Sequence, residues 1–148
     1  MCILPCLLYG CQTWALTEHL ANKIKVCQNS IERSTLGVKR KDREKLIDIK
    51  SKTKFKNAYT TYKQLKWRWT GHMMREKQEK WTKLITEWYP LDGKRHRGRQ
   101  AKRWEDDVQK IAGSTWTRTA KMRKDWRALE EAFVGRQVVS ELPFADSQ

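Results

Sequence analysis

A dense run of cations occupies residues 92–104, with the sequence Asp-Gly-Lys-Arg-His-Arg-Gly-Arg-Gln-Ala-Lys-Arg-Trp. Closely spaced cations suit a phosphate backbone, because each one can displace a condensed counterion. Gly93 and Gly98 have no Cβ and let the backbone approach a ligand closely. A purely solvated loop is the alternative interpretation. We predict phosphate contacts from the six cations of this loop, which are Lys94, Arg95, Arg97, Arg99, Lys102 and Arg103.

An acidic cluster, Glu-Asp-Asp at residues 105–107, follows the basic loop directly. Two-metal nucleotidyl transfer needs carboxylates that hold two cations about 4 Å apart. Here the flanking Trp104 and Val108 indicate a helix, and acids in the first turn of a helix are explained by its macrodipole. The sequence also has no nucleophile motif and no phosphate-binding Gly-rich loop. We therefore predict no catalytic residue, no metal site and no cofactor in this chain.

The positive charge of the chain is concentrated in its middle. Of 148 residues, 32 are Lys or Arg and 17 are Asp or Glu, which gives a net charge of +15. Residues 38–104 hold 22 of these bases and seven of the acids, so they carry the whole excess. This distribution predicts a polyanionic partner, RNA and/or DNA, in preference to a membrane surface.

The apolar segments and the cysteines suggest an intracellular protein. No apolar run approaches the roughly 18 residues needed for a transmembrane helix. The apolar start of the chain lacks the basic residues of a signal peptide. The four cysteines, Cys2, Cys6, Cys11 and Cys27, have no metal-site spacing, so we expect reduced thiols in the nucleus and/or cytoplasm.

Apolar residues recur at helical spacing along most of the chain, which predicts an all-α fold of several amphipathic helices joined by the basic Gly/Arg-rich loop. Thr17 is the expected N-cap of the first long helix and Gly37 its C′ residue. Further helices are expected near residues 46–49, 81–88, 104–111 and 116–133. Periodicity fades beyond Gly135, which predicts a mobile C-terminal tail. The predicted apolar stripe of the first long helix consists of Leu20, Ile24, Cys27 and Ile31.

The strongest periodicity predicts a helix of about five turns with Thr53 as its cap. Its expected core stripe is Phe55, Ala58, Tyr62, Leu65, Trp69 and His72. Trp67 lies about 200° round the helix from Trp69, so it cannot share that stripe. Three roles are open for Trp67: base stacking, packing on another domain, or a half-exposed position. Lys63, Lys66 and Arg68 of this helix form a predicted secondary phosphate-binding patch.

Three sets of residues resemble non-LTR (LINE-type) retrotransposon reverse transcriptases. Residues 3–14, Ile-Leu-Pro-Cys-Leu-Leu-Tyr-Gly-Cys-Gln-Thr-Trp, resemble a segment near the end of the polymerase region. The segments at 65–72 and at 92–99 with 104–107 are similar to later parts of the same proteins. Shorter matches at 81–83 and 88–90 fit them as well, in order along the chain. Departures are Gln12 in place of Glu, Gln100 in place of Pro, and Cys27 in place of an aromatic residue.

The resemblance implies a parent RNA-directed DNA polymerase that uses Mg²⁺ and is often fused to an endonuclease. It implies that this chain begins inside the thumb, so that the palm and its metal-binding aspartates lie before Met1. The expected organisation is a truncated thumb-like segment (1–37), a basic helical segment (38–92), the basic loop with two C-terminal helices (93–134) and a disordered tail (135–148).

Three hypotheses for function follow from these observations. The first is a non-catalytic nucleic-acid-binding fragment derived from a retrotransposon reverse transcriptase. The second is an accessory part of an active reverse transcriptase that needs a separate palm domain as its partner. The third is a transposon relic without a selected function.

Overall fold

The computed structural model describes residues 3–77, 80–88, 98 and 101–135, and within these ranges all regular structure is helical. The predicted all-α fold is confirmed for this part of the chain. Most of the basic loop and all but the first residue of the predicted tail lie outside the described residues. The helices are α1 (Ile3–Leu7), α2 (Glu18–Thr35), α3 (Leu46–Thr53), α4 (Ala58–Arg75), α5 (Trp81–Glu87), α6 (Asp106–Ala112), α7 (Trp116–Lys121), α8 (Arg123–Ala128) and α9 (Glu130–Gly135), with 3-10 turns at Cys11–Thr13 and Arg40–Asp42. No helix in the described ranges combines the length and apolarity needed to cross a bilayer.

Both predicted ends of α2 are confirmed. The Thr17 hydroxyl accepts a hydrogen bond from the Leu20 amide at 3.4 Å, which satisfies a backbone donor of the first turn. Gly37 follows the helix with φ of +68°, the left-handed conformation of a C′ glycine. Local capping chemistry is therefore sufficient to place this helix.

The predicted apolar stripe of α2 is only partly correct. Leu20 is 42% exposed and Cys27 is exposed, whereas Ala21 and Glu32 are buried. The helix packs on α3 and α4, and Gln28 fixes its rotation by accepting from the Ala58 amide at 2.7 Å. The inward face of α2 therefore combines this polar contact with Ile24, a member of the predicted stripe that packs on the core beside Tyr62.

Helix α4 starts later than predicted. Thr53 is the last residue of α3, which ends where Lys54 adopts a left-handed φ of +51°. The Asn57 side chain instead caps α4, accepting from the amides of Tyr59 and Thr60 at 2.9 and 3.1 Å. Phe55 consequently lies in the connection before α4.

Helix α4 is the central element of the fold and is buried on several sides. It contacts the Cys11–Thr13 turn, α2, α7 and α9. Of its predicted stripe, Ala58 and Tyr62 are buried, but Leu65 is 41% exposed and His72 is exposed. A helix surrounded by neighbours has no single core face, so one stripe could not describe it.

The main core is built around two stacked tryptophans. The rings of Trp67 on α4 and Trp126 on α8 lie 3.9 Å apart with planes 6° from parallel. Each indole N–H donates to the backbone carbonyl of the other residue, at 2.8 and 2.9 Å. A Cβ on Gly71 would lie 2.6 Å from the Trp126 ring, so this glycine makes room for the stack. Phe133 packs on the Trp67 ring with centroids 4.6 Å apart.

The predicted single C-terminal helix is broken into three short helices, α7, α8 and α9. Met122, predicted to be part of its stripe, is the junction between α7 and α8 and is 50% exposed. The break lets Trp116, Trp126 and Phe133 all reach the same core cluster. Tertiary packing therefore overrides the continuous helical periodicity.

Candidate nucleic-acid interface

Two lysines of the predicted secondary patch are buried, and the structure contradicts their assignment as phosphate contacts. Lys66 has no exposed surface; its ammonium lies 3.2 Å from an Asp107 carboxylate oxygen and donates to the Trp104 carbonyl at 2.7 Å. Lys63 is 7% exposed and donates to the Phe133 carbonyl at 3.0 Å. Both ammonium groups therefore tie α4 to the C-terminal helices.

Burial changes the ionisation of these two lysines. Loss of hydration lowers the pKa of Lys66 below its ordinary value, and the nearby Asp107 carboxylate opposes that change. Burial lowers the pKa of Lys63 in the same way. Asp107 thus compensates the charge of a lysine that would otherwise be costly to bury.

The structure also contradicts base stacking by Trp67. The side chain has no exposed surface, because Trp126 and Phe133 cover its ring. Of the three roles left open by the sequence, packing is the one observed, although the partners belong to this chain. The helical wheel placed Trp67 off the predicted stripe correctly, but α4 is also buried on that other side.

Arg68 is the member of the secondary patch that reaches solvent. Its side chain is 65% exposed, and its Nε atom lies 2.7 Å from a Glu130 carboxylate oxygen. An exposed ion pair of this kind is worth little and can be exchanged for a phosphate. The prediction of a phosphate contact by Arg68 is therefore compatible with the geometry.

The described end of the basic loop is attached to the helical core. Lys102 lies 2.6 Å from an Asp107 carboxylate oxygen and also donates to the Leu16 carbonyl. The Arg103 amide donates to the Asp106 carboxylate at 2.6 Å. Four of the six predicted loop contacts, Lys94, Arg95, Arg97 and Arg99, lie outside the described residues.

The acidic cluster serves the fold. Asp106 and Asp107 stand in the first turn of α6, where the helix dipole favours acids. Asp106 holds the Arg103 amide, and Asp107 pairs with both Lys66 and Lys102. Within the described ranges, no three His, Cys, Asp or Glu side chains are placed to hold a metal ion.

A basic surface that was not among the predicted site residues lies at residues 39–56, which we call the basic segment. It contains nine Lys or Arg and three acids, and all nine cations are exposed. Ile49, with no exposed surface, anchors its helix α3, which packs on α2. The signal was present in the sequence as local charge density, although the later loop is richer in cations over a shorter stretch.

The cations of the basic segment are largely uncompensated. The Lys52 ammonium lies 3.3 Å from a Glu44 carboxylate oxygen, and Asp42 accepts from the Lys39 amide at 2.7 Å. Seven further cationic side chains have no hydrogen bond or ion pair with another described residue, and these are Arg40, Lys41, Arg43, Lys45, Lys50, Lys54 and Lys56. Such a surface attracts a polyanion and can release counterions from it.

Comparison with known proteins links the chain to mobile elements. It is 31% identical over 140 residues to a putative uncharacterized transposon-derived protein of Caenorhabditis elegans, with 86% of this chain and 50% of that protein aligned. The chain thus spans about half the length of the curated relative it matches. No family model matches the sequence, and no solved structure matches it. The similarity supports the transposable-element part of the predicted resemblance, while descent from a LINE-type reverse transcriptase stays a prediction.

Proposed function

We propose that this chain is a non-catalytic nucleic-acid-binding fragment derived from a retrotransposon RNA-directed DNA polymerase. The observation that carries the proposal is the basic segment, whose nine Lys and Arg side chains are all exposed. Nucleic acid is the partner that best matches such a surface, because phosphates are regularly spaced anions along a chain. Similarity to a transposon-derived protein supports the mobile-element origin.

The proposed contact surface differs from the one predicted from the sequence. It consists of the basic segment, Arg68, the four loop cations at 94, 95, 97 and 99, and the half-buried Lys102 and Arg103 at the end of that loop. Lys63, Lys66 and Trp67 are excluded because they are buried. Phosphate contacts of this kind give affinity without base readout, so we expect binding that depends on charge and not on sequence.

The salt dependence of RNA binding tests this proposal. Replacing four of the uncompensated cations of the basic segment, Arg40, Lys41, Lys45 and Lys50, with Ala removes up to four phosphate contacts. The slope of log K against log salt for single-stranded RNA should then become less negative by about 3. Fluorescence anisotropy across a salt series, with labelled RNA and with a DNA duplex, measures this slope. A second variant replaces Lys94, Arg95, Arg97 and Arg99 with Ala and tests the loop in the same way.

The matched control removes the same charge from other surfaces. Lys23, Arg118, Lys121 and Lys124 are exposed and lie outside the basic segment. Their quadruple Ala variant should shift the slope by much less. Absence of salt-dependent binding by the wild-type chain would reject the proposed function and favour a relic. Equal slopes for the control and both test variants would reject these contact surfaces.

A second candidate function, an accessory part of an active reverse transcriptase, is favoured by exposed apolar side chains on and beside α5. Trp81, Ile85 and Trp88 are 78%, 67% and 70% exposed. Clustered exposed apolar side chains are typical of surfaces that contact another protein. A separate palm domain is the proposed partner for this surface.

Primer extension tests the accessory role. The assay uses a Mg²⁺-dependent reverse transcriptase that contains the palm but lacks this region. Adding the purified chain to this enzyme should increase primer extension. Replacing Trp81 and Trp88 with Ser should abolish the increase, whereas replacing exposed Lys121 and Lys124 with Ser should not. No increase with the wild-type chain would count against this function while leaving RNA binding unaffected.

A further inference from the structure

A groove with a cavity volume of about 910 Å³ runs between α4 and the C-terminal helices. Its lining includes both tryptophans of the stack and four arginines. Arg68 and Arg75 stand on α4, and Arg123 and Arg127 stand on α8. The pairs are seven and four residues apart, so each helix presents its arginines on one face.

Helix periodicity explains why these arginines meet. Residues seven apart on α4 return to the same side of the helix about 10 Å further along its axis. The stacked rings of Trp67 and Trp126, whose centroids lie 3.9 Å apart, join α4 to α8. Both tryptophans line the groove, so the arginines on the same side of each helix line it as well. The same contact that builds the core therefore brings distant arginines to one surface.

The two ends of the groove differ in charge compensation. At one end, Arg68 pairs with Glu130 at 2.7 Å, and Glu131 also lines the groove. At the other end, Arg75 and Arg123 repel each other, and this repulsion adds to burial in lowering the pKa of Arg75. In the part of the chain that the structure describes, neither of these two guanidinium groups has a carboxylate within ion-pair distance.

Arg75 is held in position for an anion. Its Nη1 atom donates to the Ala120 carbonyl on α7 at 2.7 Å. Within the described residues this is the one hydrogen bond that the Arg75 guanidinium makes, although the group has five N–H donors. A guanidinium that is fixed by one bond and lies beside a second arginine presents a planar fork that suits a phosphate.

We infer that this arginine groove is a second phosphate-binding surface, which contacts the backbone of the same nucleic acid through Arg75, Arg123 and Arg127. The inference rests on the proposed function and extends it to a surface outside the basic segment. An anionic phosphate in the groove relieves the repulsion between Arg75 and Arg123. A phosphate backbone fits better than a single small anion, because the three cations stand on two helices and Arg127 lies one helical turn beyond Arg123.

The test uses a double variant, Arg123→Ala/Arg127→Ala, in the full chain. Both side chains are exposed on α8, so the fold should be retained and the far-ultraviolet circular dichroism melt should match that of the wild type. The slope of log K against log salt for labelled single-stranded RNA should become less negative by about 1.5. The matched control is Lys121→Ala/Lys124→Ala, which removes the same charge from nearby positions that do not line the groove.

The outcomes separate this inference from the proposed function. In one outcome, the basic-segment variant changes the slope of log K against log salt as expected, while the arginine variant gives the same slope as its lysine control. In that case the proposed function stands and the groove does not contact the nucleic acid. Labelled polyglutamate of equal charge is the second probe. If its affinity for the wild type equals that of RNA, and the arginine variant lowers both affinities equally, the groove binds acidic peptides and the inference is overturned. A specific loss of RNA binding in the arginine variant supports it.

Discussion

Replacing Trp67 with Ala is expected to lower the free energy of unfolding by about 3–5 kcal/mol. The indole has no exposed surface and packs between Trp126 and Phe133. Its removal leaves a cavity and deprives the Trp126 carbonyl of its 2.8 Å hydrogen bond. Urea unfolding followed by far-ultraviolet circular dichroism measures the change without relying on tryptophan fluorescence.

Trp81→Ala is the matched control, because it removes the same side chain from a position that is 78% exposed. Its effect on stability should be within about 0.5 kcal/mol. Should Trp67→Ala abolish the cooperative transition, Trp67→Phe keeps a ring in the stack and should cost less. Equal unfolding midpoints for Trp67→Ala and Trp81→Ala would contradict the stacked core.

Replacing Lys66 with Ala should cost about 3 kcal/mol of stability, even though the residue lies in the most basic part of the chain. The buried ammonium joins Asp107 to the carbonyls of Trp104 and Trp14, at distances of 3.2, 2.7 and 3.4 Å. Its loss leaves the Trp104 carbonyl without this donor, while the Trp14 carbonyl keeps the Tyr62 hydroxyl at 3.1 Å and Asp107 keeps its pairing with Lys102. Thermal and urea unfolding of the purified variant measure the effect.

Arg68→Ala is the comparison, because Arg68 lies two residues away and its side chain is 65% exposed. Its stability should change by less than about 1 kcal/mol. For RNA binding, we expect the two positions to rank in the opposite order. Arg68→Ala should reduce the salt dependence of binding. Lys66→Met, which fills the same space without a charge, should leave that salt dependence unchanged. A stable Lys66→Ala variant with weakened RNA binding would contradict the structural role.

The effect of pH separates the charge of Lys66 from its packing. Because burial lowers the pKa of Lys66, the unfolded chain keeps this proton to higher pH than the folded chain does. Stability from this group therefore rises with pH between the folded-state pKa and the ordinary value of 10.5. Lys66→Met should reduce the rise that urea unfolding measures across this pH range, and the part that remains belongs to Lys63, whose pKa is also lowered by burial.

Features that depend on neighbouring residues were predictable from the sequence. The cap of α2 at Thr17, its end at Gly37 and the helices at 46–53, 81–87 and 106–112 all follow from local hydrogen bonding and apolar spacing. Helix α4 was predicted as well, but its cap is Asn57 and not Thr53. Local sequence could not distinguish the two positions, because Thr and Asn are both favoured N-cap residues.

The faces that the helices bury were less predictable. A hydropathy stripe assumes one core face, whereas α4 meets neighbours on several sides and buries Lys63, Lys66 and Trp67 together with Tyr62. The C-terminal periodicity predicted one helix, yet three aromatic side chains reach the core only because the chain bends at Met122. Such packing depends on residues far away in the sequence.

For the candidate site, composition and residue order are enough to predict a strongly basic helical protein with a polyanion as the expected partner. Total charge and local periodicity depend on nothing else. Which cations are available was decided by the tertiary structure alone. Asp107 and two backbone carbonyls bind Lys66 inside the core, while Arg40, Lys41, Lys45 and Lys50 remain exposed. A lysine looks the same in the sequence in both situations, and only the three-dimensional position of a carboxylate, a carbonyl or water distinguishes a structural ammonium from a phosphate-binding one.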